Sequence, residues 1–278
     1  MKVGSRKSKL ALMQSEMFAR RCEEACEIVG ISTSGDVDTE TPLSQTKGQG
    51  VFVDSLNAMV KSGEIDVAVH SAKDLPNSID PELEVAAAFD WKWYHDIMIT
   101  REGEEFSGKG VIGTSSPRRV AQIRKLYPGV TVKNLRGNVD TRIKKLNNGE
   151  YDAILMSEAA AVRMFPEMRY KILPLDAFIP APNQGIIAVV ARKDSPYMNV
   201  IRETGDRNAE RRMNMERVVS KAMEVGCSDA TGIFFDPQSN ILRIDTNTDR
   251  KAKILIRTVR TEEEAASAGL EVKRYMEK

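Results

Sequence analysis

The chain writes one structural plan twice. KVGSRKSK runs from a short strand-like start through a polar turn into a long helical stretch, and VIGTSSPRRVAQIRKLYPG repeats that order a hundred residues later. EIDVAVHSAKD sets an acidic residue before a short apolar run and a polar loop, and YDAILMSEAAAVRMF does the same. Short apolar runs alternating with helical ones predict α/β units. With 278 residues, and about 100–200 residues per domain as the rule, two or three domains are expected.

The expected boundaries follow from where that plan starts and stops. Residues 1–90 and 186–203 read as α/β domain 1, discontinuous because IIAVV, after the proline-rich DAFIPAPNQG, rejoins the first sheet. Residues 91–185 read as α/β domain 2. Residues 204–278 change pattern: a long polar helix (AERRMNMERVVSKAM), short strands (GIFF, ILRID, KILIRTV) and a terminal helix read as a small α+β domain 3. One long helix is expected over LALMQSEMFARRCEEACEIVG, with Cys22 and Cys26 packing on one face.

Charge narrows function. Lys and Arg number 41 against 40 Asp and Glu, so no global positive field recruits nucleic acid. Anion binding must come from local clusters, and arginines do cluster at strand-to-helix junctions. Arg6 precedes Ser8 where the first strand meets its helix. Arg118 and Arg119 adjoin TSSP, Arg136 opens RGN, Arg142 follows, and Arg163 lies beyond the next strand. Helix starts offer free N–H groups, and guanidinium forks match carboxylates and phosphates. One such arginine reads as a solvated surface residue; the set reads as a polyanion site. Neither G-x-x-x-x-G-K-[ST] nor G-x-G-x-x-G occurs, so nucleotide phosphate lacks support.

Asp74, beside Lys73, follows the strand VAVH, where a carboxylate can shuttle a proton or hold a cation. Its plainer reading is a turn cap. His70 reads as structural, and a Cys227–His70–Asp74 triad exists only on paper. Three cysteines and two histidines make neither a disulfide framework nor a metal site. Cys227, in VGCSDATG, is either a packed thiol or a reachable one, and those residues alone leave both readings open. The basic N-terminal stretch lacks the apolar core of a secretion signal, and no 18-residue apolar run occurs, so a cytoplasmic protein with no membrane partner is expected.

Six blocks in order, VGSRKSKLALMQ, GEIDVAVHSAKDLP, IGTSSPRR, LRGNVDTRIKKLNNGEYDAILM, PAPNQG and VGCSDATG, make nearly the whole chain resemble the porphobilinogen deaminase (hydroxymethylbilane synthase) family. The resemblance implies two periplasmic-binding-protein-like α/β domains around a cleft, plus a small C-terminal α+β domain. It implies a transferase of tetrapyrrole (haem) biosynthesis that joins four porphobilinogen molecules into hydroxymethylbilane and releases ammonia. The product grows on a dipyrromethane cofactor bound by a thioether to Cys227. Asp74 is then the catalytic acid. Arg6, Ser71, Lys73, Ser115, Arg118, Arg119, Arg136, Arg142 and Arg163 contact cofactor or substrate carboxylates. A monomer handing its product to the next pathway enzyme, with no metal, completes the implied picture.

The chain departs from the family pattern at several points. Ser34, in STSGD, replaces the arginine of T-R-G-D. KGQG stands for G-G-K-G, so Gln49 takes a lysine position, with Lys47 two residues earlier. FDWKWYHDIMI keeps Asp96 but puts His95 at an arginine position, and SDATG replaces Q-V-P-x-G. These changes remove cationic contacts and predict weaker substrate affinity. The rival reading is a non-catalytic two-lobed binding protein for a small polycarboxylate, which would have no need of Cys227.

Overall fold

Burial decides which short apolar runs become inner strands. Val67–His70, Ile187–Ala191 and Ala153–Ser157 are buried along their whole length, as strands covered on both faces require. The computed structural model describes residues 1–31, 51–226, 229–247 and 251–278. In chain order the first elements are β1 (Lys2–Arg6), α1 (Lys9–Ala19), β2 (Glu27–Ile31), α2 (Val51–Ser62), β3 (Val67–Ser71) and β4 (Leu83–Phe89). Next come β5 (Asp96–Thr100), β6 (Gly110–Gly113), α3 (Pro117–Leu126), β7 (Val130–Lys133), α4 (Val139–Asn147), β8 (Ala153–Ser157), α5 (Glu158–Met164) and β9 (Lys171–Ile172). The chain finishes with β10 (Ile187–Arg192), α6 (Met198–Glu203), α7 (Arg207–Met223), β11 (Thr231–Asp236), β12 (Ile241–Asn247), β13 (Ala252–Thr258) and α8 (Glu262–Glu277).

The residues divide into two compact units, 1–92 with 185–214 and 93–184 with 215–278. The first holds a five-stranded sheet ordered β2-β1-β3-β10-β4, the second one ordered β7-β6-β8-β5-β9. In each, the first three strands are parallel and the fourth runs against its neighbours. The twice-written plan is thus a twice-built sheet, and the α/β class is the observed one. The reversed strand in each sheet, β10 or β5, is the segment that follows the passage of the chain from the other unit.

One expectation is corrected. The helix read over LALMQSEMFARRCEEACEIVG stops at Ala19, where Arg20 N–H donates to Glu16 O at 3.0 Å. Glu27–Ile31 instead forms β2, parallel to β1 with Lys2 beside Glu27. Pairing with β1 overrides the helical pattern, because EIVGI can fill a sheet edge. Cys22 and Cys26 therefore lie on the intervening turn, half-buried with Met1, Met17 and Ile28 against the first unit's core. Ser34, Lys47 and Gln49 lie outside the described residues.

The second unit also contains a three-stranded antiparallel sheet, β11-β12-β13. Alternate residues Ile233, Phe235, Leu242, Ile244 and Leu255 pack with Met215, Val219 and Met223 of α7 and Ala265, Ala268 and Val272 of α8. Thr261 caps α8 by accepting the Glu264 N–H at 3.2 Å, and three glutamates in the first turn suit the helix dipole.

Candidate active site

Parallel pairing carries several predicted residues to one sheet edge. Val3 sits beside Val67 and Gly4 beside Ala68, so Arg6 reaches the level of His70 at the carboxyl ends of β1 and β3. Open α/β sheets bind ligands at such ends. Beyond Ser71 the chain tightens into a 3-10 turn, Ala72–Asp74, held by Ala72 N–H on Ile186 O at 2.9 Å. The turn leaves Asp74 exposed and Lys73 half-buried. Gln14 Nε2 donates to Ser71 Oγ at 3.0 Å, which fixes the strand end against α1.

His70 lies beneath them, buried, with Nε2 3.0 Å from Asn57 Oδ1. An amide oxygen only accepts, so Nε2 carries the proton. Burial, followed by the nearby Arg6 charge, pushes the imidazole pKa down to about 4. His70 is neutral at physiological pH and committed to Asn57, as a structural residue is.

In the second unit the arginines divide by role. Arg118 and Arg119 are only 3% and 7% exposed and both grip Asp96, which is fully buried. Arg118 reaches Asp96 through Nη1 at 2.6 Å and Nη2 at 3.2 Å, and Arg119 through Nε at 2.7 Å. Arg118 Nη1 also donates to Ile179 O at 2.8 Å, and Arg119 Nη1 to Leu155 O at 3.2 Å. Burial alone would raise the Asp96 pKa, but the two guanidiniums outweigh it and hold the carboxyl at about 2. Many of these N–H groups are already spent on protein, so the pair forms a pedestal first.

Arg142 is of the other kind. It is half-buried, its Nε donates to Gly137 O at 2.8 Å, and burial with the charges of Arg119 and Arg136 lowers its pKa to about 10. It remains protonated at neutral pH. A half-buried guanidinium under the charge of two others is one that an anion stabilises. Arg136 and Arg163 are half-buried, Arg163 in the last turn of α5. Ser115 Oγ accepts Leu135 N–H at 3.1 Å and contacts Asn134 Oδ1, so it ties the ends of β6 and β7 together.

Cys227 and Ser228 lie outside the described residues, but their flanks are held. Gly226 N–H donates to Asp229 Oδ2 at 2.7 Å, and Asp229 N–H to Gly226 O at 3.2 Å. Five residues past the cysteine, a Cβ on Gly232 would lie 2.4 Å from Ile179 O, the carbonyl that also receives Arg118 and Gln122. Glycine is required there by close backbone approach. Gly232→Ala is expected to cost about 1–3 kcal/mol in urea unfolding, since the strand or the 179 loop must move. A change within about 0.5 kcal/mol would show the contact to be looser than described.

Three site-supporting residues escaped the sequence reading. Gln184, 1% exposed, donates from Nε2 to Tyr94 O at 2.9 Å and His95 O at 3.1 Å, and its Oε1 receives Arg119 at 3.5 Å. Buried Glu158 sits 2.9 Å from His95 Nδ1, so His95 faces a carboxylate of its own. Buried Glu216 accepts Phe235 N–H at 2.9 Å and the Asn183 N–H. The available signal for Glu216 was an acid between Met213 and Val219 on the apolar stripe of α7.

The first unit presents an exposed carboxylate, Asp74, at a strand end, and the second carries buried and half-buried guanidiniums on or beside its helices. The family model described as "Porphobilinogen deaminase, dipyromethane cofactor binding domain" matches residues 1–200. The chain belongs to the porphobilinogen deaminase family. A probable porphobilinogen deaminase of Picrophilus torridus is 42% identical over 237 residues, 84% of each chain. Those of Methanocella arvoryzae and Archaeoglobus fulgidus are 39% and 38% identical, over 84% and 90% of this chain and 79% and 88% of their own. Among the described residues no helix is long and apolar enough to cross a membrane, and no group of three or more His, Cys, Asp or Glu is placed to hold a metal.

Proposed function

We propose that this chain joins four porphobilinogen molecules head to tail into the linear tetrapyrrole hydroxymethylbilane, with water consumed and one ammonia released per addition, on a dipyrromethane primer bound by a thioether to Cys227. The observation that carries this reading is the match of residues 1–200 to the family's dipyrromethane-binding domain. A polycarboxylate-binding protein would not need that domain.

The residues present suit the group. Each pyrrole unit brings two carboxylates, and Arg142 feels the like charges of Arg119 and Arg136, which a carboxylate would offset. Arg6, Ser71 and Lys73 in the first unit, with Ser115, Arg118, Arg119, Arg136, Arg142 and Arg163 in the second, are assigned to hold those acid groups. When bound, the primer supplies the electron-rich pyrrole carbon on which the chain is extended. Asp74, exposed at the end of β3 beside Lys73, has the charge to stabilise a positive pyrrole nitrogen and to pass a proton to the departing amine.

On this reading residues 204–278 act as a third domain that carries the tether. The sheet and apolar cluster of residues 215–278 support such a module, while Ala209 and Met213 pack with the first unit's core. The protein works as a cytoplasmic, monomeric transferase that hands its product to the next enzyme. Steady-state incubation with porphobilinogen is expected to yield tetrapyrrole with four ammonia per product. Primed protein that forms no tetrapyrrole would overturn the assignment.

A further inference from the structure

A groove of about 660 Å³ in the second unit adjoins the site described above, sharing Ser115 and lined there by Thr114, but takes in none of Asp96, Arg118 and Arg119. One wall is α3, with Val120, Ala121, Arg124 and Lys125. A second is the carboxyl end of β7, with Lys133 and Asn134. The third is Ala230, Asn247 and Ala252 of the C-terminal sheet. Its size falls within the range of about 300–1,000 Å³ typical of small-molecule sites. Three cations line it and no carboxylate does. Lys125 is partly committed to Asp245 at 3.4 Å, which leaves Arg124 and Lys133 as the main source of positive potential.

Asn247 adds an independent sign. Its backbone N–H donates to Ala230 O at 3.1 Å, and it faces Ala252 in register, so its place on the wall is fixed. Its side-chain Oδ1 and Nδ2 are both buried and have no hydrogen-bond partner among the described residues. A buried amide with neither bond made is costly unless something fills the site. The Nδ2 donor suits an anion, and Oδ1 suits a water or a donor carried with it.

We propose that this groove is a second carboxylate-binding site, recognised by Arg124, Lys133 and the Asn247 amide. Two sources share that chemistry: a free aliphatic dicarboxylate, or the acid side chains of a pyrrole chain held at Cys227, three residues before Ala230. Only the second source rests on the function proposed above.

The test titrates glutarate into full-length protein and follows amide NMR shifts, including the Asn247 side-chain NH₂. It uses both primed protein and Cys227→Ser. Saturable shifts are expected at Asn247, Thr114 and Lys133, weakened roughly five- to tenfold by Asn247→Ala and by Lys133→Gln. Binding to both forms identifies a free ligand as the source. Binding to Cys227→Ser alone identifies the tethered chain. No saturable shift in either form, or affinity unchanged in both groove variants, overturns the site. Intact mass of the same samples reports the primer separately, so a missing adduct counts against the proposed function and leaves the glutarate result readable.

Discussion

Asp96→Ala is expected to destabilise the protein by about 3–5 kcal/mol at neutral pH, because it strands two buried guanidiniums without their shared carboxylate. Urea unfolding of wild type and variant checks this. Asp96→Asn keeps the shape but removes the charge and turns one accepting oxygen into an NH₂ donor facing a guanidinium, so it separates the polar effect from a cavity. The sign of the pH dependence follows from the depressed carboxyl. Its folded pKa of about 2 lies below the ordinary 3.8, so its contribution is complete above about pH 4 and is lost as pH falls through 2. Wild type is expected to lose about 2 kcal/mol over that window through this group, and Asp96→Asn to lack that part of the slope. A neutral-pH penalty below about 1 kcal/mol would mean that the pedestal contributes little.

Asp74→Asn is expected to lower turnover by about 10²–10⁴-fold while leaving the fold and the covalent primer in place. Asparagine preserves size and one accepting oxygen but cannot carry the negative charge or the proton. Asp74 is exposed on a short turn, so stability is expected to stay within about 0.5 kcal/mol of wild type. The paired readout matters: turnover falls and adduct mass does not. Undiminished turnover would remove Asp74 from the chemistry and return it to the plainer role of a turn residue.

The two variants also mark where the sequence was readable. Asp74 could be placed because EIDVAVH is a strand by its own residues, and whatever follows it stands at a sheet end. The second sheet was legible for the same reason, since YDAILMS repeats the pattern. β2 was not legible: EIVGI follows a helical run without a break, and only its pairing with β1 makes it a strand. The division of labour among arginines was equally hidden. That Arg118 and Arg119 also grip Asp96 was hidden because nothing local shows that this carboxylate, more than twenty residues earlier, lies between them. Gln184 and Glu158 were missed because their partners are backbone carbonyls and a distant histidine. Ser115 read as a ligand contact, yet its hydroxyl also joins two strand ends. In each case the missing information was a tertiary contact, which residue type and spacing do not encode.

The central claim is that Cys227 carries the primer on which product grows. Intact mass spectrometry of protein made in cells that produce porphobilinogen tests it most directly. The expected result is an added mass equal to one dipyrromethane unit on the wild-type chain, present in Asp74→Asn and absent from Cys227→Ser. An unmodified wild-type chain under those conditions, or the same adduct on Cys227→Ser, would contradict the account.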